Sequence, residues 1–295
     1  MPLVVADEPA KRHGSHFDLA ADEYDAVRPG YPATLLDRAF ERGTLVAGSR
    51  ALEVGCGTGK LTESLVARGL RVDAVDPGPN MIAMARRRVA DAAGVTFHLG
   101  RFEDVDLGGQ SFDGVFSATA FHWVDPSVGW AKAAACLAPG GLLALLSHVI
   151  RRDEESAPGH DEFVAVLREH APDVAALSHR PPGFDALLAG AEERRGNASE
   201  VWDWLMQGGL TRPSLAVPEG ARLFKDVEVA GEPYAVDEDA EGFLRQLRTT
   251  SLYHRIDPAR RQAFDEGLRR MIERHGGAIR SALAVVLMTA RRSDG

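Results

Sequence analysis

The sequence predicts an α/β protein with a seven-stranded, doubly wound sheet into which a helical cap is inserted. Three observations predict this fold. Short apolar segments alternate with helical segments up to about residue 150, a glycine-rich loop follows the first strand, and strand-like segments return after residue 217. Such alternation favours a parallel sheet that helices cover on both faces.

The first half of the chain carries five predicted strands. Their ranges are 49–54, 71–75, 95–99, 112–117 and 141–148. The helical segments between them lie at about 59–68, 79–92 and 126–137. With the glycine-rich loop after the first strand, residues 1–150 are expected to form a cofactor-binding core, and the segment before that strand an N-terminal lid.

The pattern changes in the second half. Over residues 151–217 the strand signal stops and prolines interrupt amphipathic segments, which predicts the helical cap insertion. Residues 218–295 are predicted to return to the core, with strand-like segments at 221–229 and 279–290. The helical segments of this last part lie near 238–248 and 257–274.

Composition narrows the class of protein. With 45% hydrophobic and 26% charged residues the chain has the balance of a soluble globular protein, and a net charge of −9 disfavours nucleic acid as a partner. Cys56 and Cys136 lack the paired spacing of zinc ligands, so we expect no metal and a reducing, cytoplasmic location. Neither a signal peptide nor a membrane span is predicted. We expect a monomer or a homodimer.

The sharpest local signal is the run Glu53–Gly59, EVGCGTG, at the end of the first strand. Alternate glycines let the backbone turn tightly and approach a ligand that a Cβ would obstruct. Asp76 closes the second strand 21 residues after Gly55, where a carboxylate can accept hydrogen bonds from both ribose hydroxyls. The glycines alone also fit a plain strand-to-helix turn, but the loop and the acid together predict a nucleoside-binding crevice.

The form of the loop bears on which nucleoside binds. The dinucleotide fingerprint G-x-G-x-x-G needs a glycine where this chain has Lys60. Glu53, two residues before Gly55, is placed to receive the ammonium of an amino-acid moiety rather than a pyrophosphate. An NAD-dependent oxidoreductase and a non-catalytic cofactor-binding protein of the same fold remain alternatives.

These residues resemble a known family. The segment ALEVGCGTG followed by Asp76 resembles the first two motifs of class I S-adenosylmethionine-dependent methyltransferases, and the likeness extends over Tyr24–Pro32, Gly78–Met81 and Ala118–Pro126. The last segment contains an HW motif similar to that of a small-molecule branch, which includes trans-aconitate and juvenile hormone acid methyltransferases. The resemblance implies a Rossmann-like fold and methyl transfer from S-adenosylmethionine to an oxygen of a small carboxylate or hydroxyl compound, with S-adenosylhomocysteine as product.

The resemblance also implies the cofactor contacts. The implied residues are Tyr24, Arg28, Glu53, Gly55, Gly57, Asp76, Met81, Phe102, Glu103 and Ala118. Glu53 and the glycines would line the methionine end, Asp76 would hold the ribose, and Met81 would flank the adenine unless it is an ordinary core residue. Arg101 stands where many relatives carry the acid that contacts adenine. Phe102 with either Glu103 or a backbone carbonyl is the expected substitute.

The segment Phe17–Pro32 is expected to form a lid in which Tyr24, Arg28 and Tyr31 close over the cofactor. Tyr24 and Arg28 are four residues apart and would share one face of a helix. The alternative is a peripheral packing helix.

His122 is the predicted catalytic residue, because it follows the fourth strand at the edge where open α/β sheets bind ligands. It would orient or deprotonate the acceptor, or else pack structurally against the cap. The predicted substrate-binding residues are Tyr31, Trp123, Trp202 and Tyr253. Trp202 shares a helix face with Met206 and could equally belong to the core of the cap. Candidate carboxylate anchors are Arg28, Arg245 and Arg248.

Overall fold

The computed structural model describes Asp18 and residues 21–89, 92–206 and 214–294, without the side chain of Tyr24. Its strands are β1 (Arg50–Val54), β2 (Arg71–Asp76), β3 (Val95–Leu99), β4 (Phe112–Ala118), β5 (Leu137–Ile150), β6 (Phe224–Glu238) and β7 (Ile279–Arg292). They form a seven-stranded sheet in the order β3-β2-β1-β4-β5-β7-β6. Strands β1 to β5 pair in parallel, and β7 runs antiparallel between β5 and β6. The predicted seven-stranded, doubly wound fold is confirmed.

Helices follow most strands. They are α1 (Ala21–Val27), α2 (Ala33–Gly43), α3 (Lys60–Ala67), α4 (Pro79–Arg88), α5 (Pro126–Cys136), α6 (Ala157–His170), α7 (Pro172–Ala175), α8 (Phe184–Glu192), α9 (Ala198–Met206), α10 (Gly220–Leu223), α11 (Ala240–Arg248), α12 (Ser251–Arg255) and α13 (Pro258–Arg274). Local sequence signals set the first residues of α5 and α13. Asp125 and Asp257 accept hydrogen bonds from backbone N–H groups of the first turn, and a proline follows each of them.

Each face of the sheet has its own apolar core. On one face, α2, α3 and α4 pack over the central strands through side chains such as Leu36, Leu61 and Phe116. On the other face, α5, α8 and α9 contribute Trp130, Leu187 and Trp202. The two layers fix the strands, so that the carboxyl ends of β1, β2 and β4 present one common edge.

The cap differs from the predicted insertion. A third apolar cluster joins α6 and α7 to α11, α12 and α13, through residues such as Leu167, Leu244 and Phe264. The cap is therefore built from two separated parts of the chain, whereas α8 and α9, inside the predicted 151–217 insertion, cover the sheet. Amphipathic spacing shows that a helix has an apolar face, but not which apolar surface that face meets.

The described residues contain neither a membrane-spanning helix nor a metal site. None of the helices traced in these ranges combines the length and apolarity needed to cross a bilayer. In the same ranges no group of three or more histidine, cysteine or acidic side chains is arranged to hold a metal ion. Both cysteines are buried free thiols.

Candidate functional site

A cavity of about 510 Å³ opens at the carboxyl ends of β1, β2 and β4. Its volume lies within the range of small-molecule sites, roughly 300–1,000 Å³. The predicted site residues that line it are Arg28, Tyr31, Glu53, Gly55, Gly57, Asp76, Met81, Phe102, Glu103, Ala118, His122 and Trp123. The edge of the sheet thus brings together residues from well-separated parts of the chain.

The glycine loop has a conformation and a packing that other residues would not tolerate. Gly55 has φ +73°, and a Cβ there would lie 2.3 Å from the Cβ of Ala120. Gly59 has φ +85°, and a Cβ there would lie 2.9 Å from Cα of Ala85 in α4. Only glycine fits both the left-handed backbone and these close approaches. Gly55 and Gly57 also line the cavity, so no Cβ at these two positions stands between the backbone and a ligand.

Asp76 ends β2 and is tied to this loop. Its Oδ2 accepts the N–H of Gly57 at 2.9 Å and its Oδ1 accepts the N–H of Gly78 at 2.8 Å. Burial raises the pKa of the Asp76 carboxyl, while these two N–H groups act to lower it. A carboxylate offers about four acceptor sites. Each oxygen thus keeps capacity for one further donor, such as a sugar hydroxyl.

Glu53 is the most deeply buried acid of the cavity wall, with 1% of its surface exposed. Thr62 donates a hydrogen bond from Oγ1 to its Oε2 at 2.7 Å. Burial raises the pKa of Glu53 to about 8, the Thr62 hydrogen bond acts against that rise, and the charge of Asp76 adds to it. A cation placed beside Glu53 would favour its ionised form.

At the end of β3, Arg101 and Glu103 act as a pair. Arg101 donates to Oε1 of Glu103 at 2.7 Å, and the N–H of Asp125 donates to the same oxygen at 2.9 Å. Burial acts to raise the pKa of Glu103, but the N–H of Asp125 and Arg101 outweigh it and hold that pKa below its usual value. Phe102 is buried beneath the ammonium of Lys132, 5.3 Å from the ring centroid. Arg101 therefore fixes the neighbouring acid rather than replacing it.

The N-terminal strap, residues 25–31, lines the cavity with Arg28, Pro29 and Tyr31 and is held first by Asp25. This carboxylate accepts Oγ1 of Thr58 at 2.6 Å and Nη2 of Arg88 at 2.7 and 2.8 Å. Lys60 donates to the backbone oxygen of Asp25 at 2.9 Å. Asp25 was missed by the sequence analysis, although it lies within the Tyr24–Pro32 segment. Phe17 and the side chain of Tyr24, two of the expected lid residues, lie outside the described part of the chain.

A second set of hydrogen bonds holds the strap at Arg28 and Tyr31. Arg28 donates from Nε to Oγ1 of Thr249 at 3.2 Å and from Nη2 to its backbone oxygen at 3.1 Å. The Tyr31 hydroxyl and Oγ1 of Thr119 are 3.0 Å apart. Thr119 has φ +54°, a left-handed conformation that is costly for a threonine and is often found at functional sites. The strap therefore connects the glycine loop, the cap and the end of β4.

A second histidine reaches the cavity wall near the strap. His148, near the carboxyl end of β5, lies with its Nδ1 2.9 Å from the Tyr234 hydroxyl and its ring 5.1 Å from that of Tyr31. Burial, together with the charge of Arg28, lowers the pKa of His148 to about 4, so its imidazole is neutral near pH 7. Sequence analysis ended the fifth strand at this residue without assigning it to the site. His122 lies in a 3₁₀ turn, Phe121–Trp123, directly after β4.

The structure does not bring Trp202 and Tyr253 to the cavity, contrary to the prediction that they bind substrate. Trp202 is fully buried between α9 and the sheet. The Tyr253 hydroxyl donates to Asp265 at 3.1 Å within the cap. Arg248 pairs with the same carboxylate, so of the candidate anchors only Arg28 lines the cavity. Trp202 therefore belongs to an apolar core, but to the one against the sheet rather than to the core of the cap, and Tyr253 lies in the apolar cluster of the cap.

The sheet order separates this fold from a dinucleotide-binding one. Dinucleotide folds have six parallel strands in the order 3-2-1-4-5-6. Here an antiparallel β7 lies between β5 and β6, and Lys60 stands where the last fingerprint glycine would be. The sheet and the loop together define a Rossmann-like methyltransferase fold.

Comparisons with known proteins agree with this class. Residues 52–145 match the family model described as Methyltransferase domain. An uncharacterized methyltransferase of Mycobacterium tuberculosis is 40% identical over 138 residues, 47% of this chain and 53% of that protein. A malonyl-[acyl-carrier protein] O-methyltransferase of Serratia marcescens is 32% identical over 130 residues, 44% of this chain and 49% of that protein.

A solved structure, a putative type II methyltransferase from Anaeromyxobacter dehalogenans, shares the fold with a TM-score of 0.52. It is 24% identical, and the alignment covers 90% of this chain and 97% of that one. The chain spans about half the length of the curated relatives it matches. The matched residues include Glu53, Asp76 and His122 and end before His148.

Proposed function

We propose that this chain binds S-adenosylmethionine and transfers its methyl group to an oxygen of a small molecule. The observation that carries the proposal is the carboxylate of Asp76, which lies in the cavity wall and is bonded to the N–H of Gly57 in the glycine loop. A loop with glycines at Gly55 and Gly57 against the cavity, and a two-sided acceptor at the end of the next strand, suit a nucleoside with a charged tail.

The cofactor end of the cavity fits a cationic ligand. Among the described residues four acids line the cavity, and they are Asp18, Glu53, Asp76 and Glu103. The lining cations Lys60 and Arg101 are each paired with a carboxylate, of Asp25 and of Glu103. Glu53 would receive the ammonium, Asp76 the ribose hydroxyls, and the buried Met81 and Phe102 would flank the adenine. When bound, the cofactor supplies an electrophilic methyl group, whose bonding electrons stay with sulfur as the new bond to the acceptor oxygen forms.

The other end of the cavity, where the acceptor would bind, carries a positive rather than a negative charge. Its described lining comes from the strap, the end of β4, His148 and residues 249–251, and among these residues Arg28 is the charged group. An anionic or neutral oxygen acceptor fits such a wall better than an ammonium compound does. The Serratia marcescens relative, named as an O-methyltransferase, also supports oxygen as the acceptor atom.

His122 is proposed to orient the acceptor, or to take its proton. A carboxylate acceptor needs no base, because its oxygen is already anionic. A hydroxyl acceptor must lose a proton, and a positioned imidazole contributes roughly 10²–10⁴-fold to such a step. Tyr31 and Trp123 line the same end and would contact the acceptor. We also propose that the protein is cytoplasmic and is a monomer or a homodimer. Nucleic acid is not its proposed substrate.

Calorimetric titration with S-adenosylhomocysteine tests the cofactor assignment. Asp76→Ala should weaken binding by at least about tenfold, because two charge-assisted hydrogen bonds to the ribose are lost. Asp73→Ala is the matched control. Asp73 is also a buried acid of β2, but it pairs with His98 at 2.8 Å and does not line the cavity.

Equal effects of the two substitutions would place the ribose elsewhere. Binding of NAD in preference to S-adenosylhomocysteine would refute the methyltransferase assignment.

Radiolabelled methyl transfer to hexanoate, 4-hydroxybenzoate and hexylamine then tests the reaction. We expect an oxygen acceptor to be labelled. Cofactor binding without transfer to any of the three would favour the non-catalytic alternative.

A further inference from the structure

A short loop of the cap forms part of the cavity wall. Residues 249–251, here called the cap loop, are the two residues between α11 and α12 and the first residue of α12, and all three line the cavity. Thr249 is 2% exposed, so its position depends on packing and hydrogen bonds rather than on solvent. What holds this loop therefore determines the shape of the acceptor end.

One buried carboxylate holds both flanks of the cap loop. Asp265 on α13 is 7% exposed. It accepts the Tyr253 hydroxyl at 3.1 and 3.2 Å and Nη2 of Arg248 at 2.5 Å. Arg248 is the residue before the loop, and Tyr253 lies two residues after it. Asp265 thus fixes the two ends of a three-residue segment.

Local hydrogen bonds alone do not fix the loop relative to the cavity. Oγ1 of Thr249 donates to the Gln246 oxygen at 2.7 Å, and Oγ1 of Thr250 donates to the Leu247 oxygen at 2.6 Å. These bonds end α11 and shape the turn, but every partner lies on the same element. Asp265, from a different helix, relates both flanks of the turn to α13, and Arg261 of the same helix adds a hydrogen bond to the backbone oxygen of His254 beyond the loop.

The cap loop meets the N-terminal strap on its other side. Arg28 donates hydrogen bonds to the side-chain and the backbone oxygen of Thr249, at 3.2 and 3.1 Å. The loop is therefore held between an acid in the cap and an arginine of the strap, and it closes the acceptor end between them.

We propose that Asp265 is a positioning residue that acts through Arg248 and Tyr253 to hold the cap loop as the acceptor-side wall of the cavity. The proposal rests on the proposed function in one respect, namely that this end of the cavity receives the methyl acceptor. Asp265 itself touches neither ligand. Its loss should impair acceptor binding while leaving the cofactor end, which Asp76 and the glycine loop build, in place.

The test compares Asp265→Asn with Glu241→Gln in the full chain. Glu241 and Arg269 also pair α11 with α13, at 2.7 Å, but at the surface and away from the cap loop. Hydrogen exchange is followed by mass spectrometry on peptides that cover residues 246–254 in the S-adenosylhomocysteine complex. Steady-state methyl transfer is measured with hexanoate and 4-hydroxybenzoate.

With Asp265→Asn we expect exchange in the cap loop to quicken about tenfold or more. We also expect KM for the acceptor to rise about tenfold, while KM for S-adenosylmethionine stays within about threefold. A residue that only stabilises the cap would lower the melting temperature without moving the acceptor KM. Glu241→Gln should leave all of these readouts unchanged.

Tyr253→Phe keeps the aromatic ring and the ion pair between Arg248 and Asp265, so it provides a second test should Asp265→Asn fold poorly. It is expected to produce a smaller effect of the same kind. Unchanged loop exchange in both variants, or equal exchange in Asp265→Asn and Glu241→Gln, would overturn the proposal. Wild-type protein that labels no acceptor, yet shows the expected difference in exchange, would refute the proposed reaction and leave the role of Asp265 in the loop standing.

Discussion

The guanidinium of Arg28 donates hydrogen bonds to both the side-chain and the backbone oxygen of Thr249, 221 residues later in the chain. Through this contact the strap, which is also fastened to the glycine loop at Asp25, reaches the cap. The two ends of one cavity are thereby connected by a single segment. The relationship has measurable consequences.

Arg28→Ala should lower the free energy of unfolding by about 1–3 kcal/mol, because two charge-assisted hydrogen bonds are lost in a partly buried setting. It should also raise the acceptor KM, since the cap loop loses its contact with the strap. Urea unfolding and methyl-transfer kinetics measure the two effects. Arg42→Ala is the control, because Arg42 also joins distant segments, through the backbone oxygen of Asp226 at 2.8 Å, but away from the cavity. A comparable rise in KM for both variants would contradict a specific role for Arg28.

Glu53→Gln should change how stability depends on pH. The pKa of Glu53 in the folded protein, about 8, lies above its ordinary value of 4.5. The native state therefore holds its proton longer than the unfolded chain does, and the stability that Glu53 contributes is lost as pH rises from about 4.5 through about 8. Relative to the wild type, Glu53→Gln should be increasingly stable over this window in urea titrations without ligand. A difference between the two proteins that stays constant with pH would rule out the raised pKa.

His122→Ala should reduce turnover by at least about tenfold while changing the affinity for S-adenosylhomocysteine by less than about threefold. The reason is that His122 lies beyond the cofactor residues, directly after β4. His98→Ala is the matched control, since His98 pairs with Asp73 on neighbouring strands and does not line the cavity. Undiminished turnover in His122→Ala would assign this side chain to packing.

Trp202→Ala should cost about 3–5 kcal/mol of stability, because it removes a fully buried aromatic side chain from the layer between α9 and the sheet. The folded fraction should bind S-adenosylhomocysteine with unchanged affinity. Trp123→Ala provides the contrast, since Trp123 is 36% exposed at the cavity and its removal should cost less than about 1 kcal/mol. Denaturant unfolding and calorimetry check both. If folded Trp202→Ala bound S-adenosylhomocysteine more weakly than the wild type, Trp202 would have to contribute to the binding site.

Most of the sheet, and the meeting of the glycine loop and Asp76 at the cavity, could be predicted because their signals are local. The predicted range of β3 is that of the structure, and β1, β2 and β4 differ by one residue at one end. The glycines and Asp76 follow from backbone conformation and from the edge at which parallel strands end. Asp25 and His148 could not be found in this way, because Asp25 holds the strap, and His148 meets it at the cavity wall, only through tertiary contacts.

The sequence by itself determined the strand–helix alternation, the glycine loop with its acid, and the placement of His122 after β4, since each depends on periodicity or on the conformation of a few neighbouring residues. Tertiary structure alone decided which helices form the cap and which cover the sheet. It also decided that Trp202 packs in the core and that Arg28 meets Thr249. Apolar surface gains free energy wherever it is buried, so an amphipathic pattern predicts burial but not the partner, and that choice depends on the packing of the whole chain.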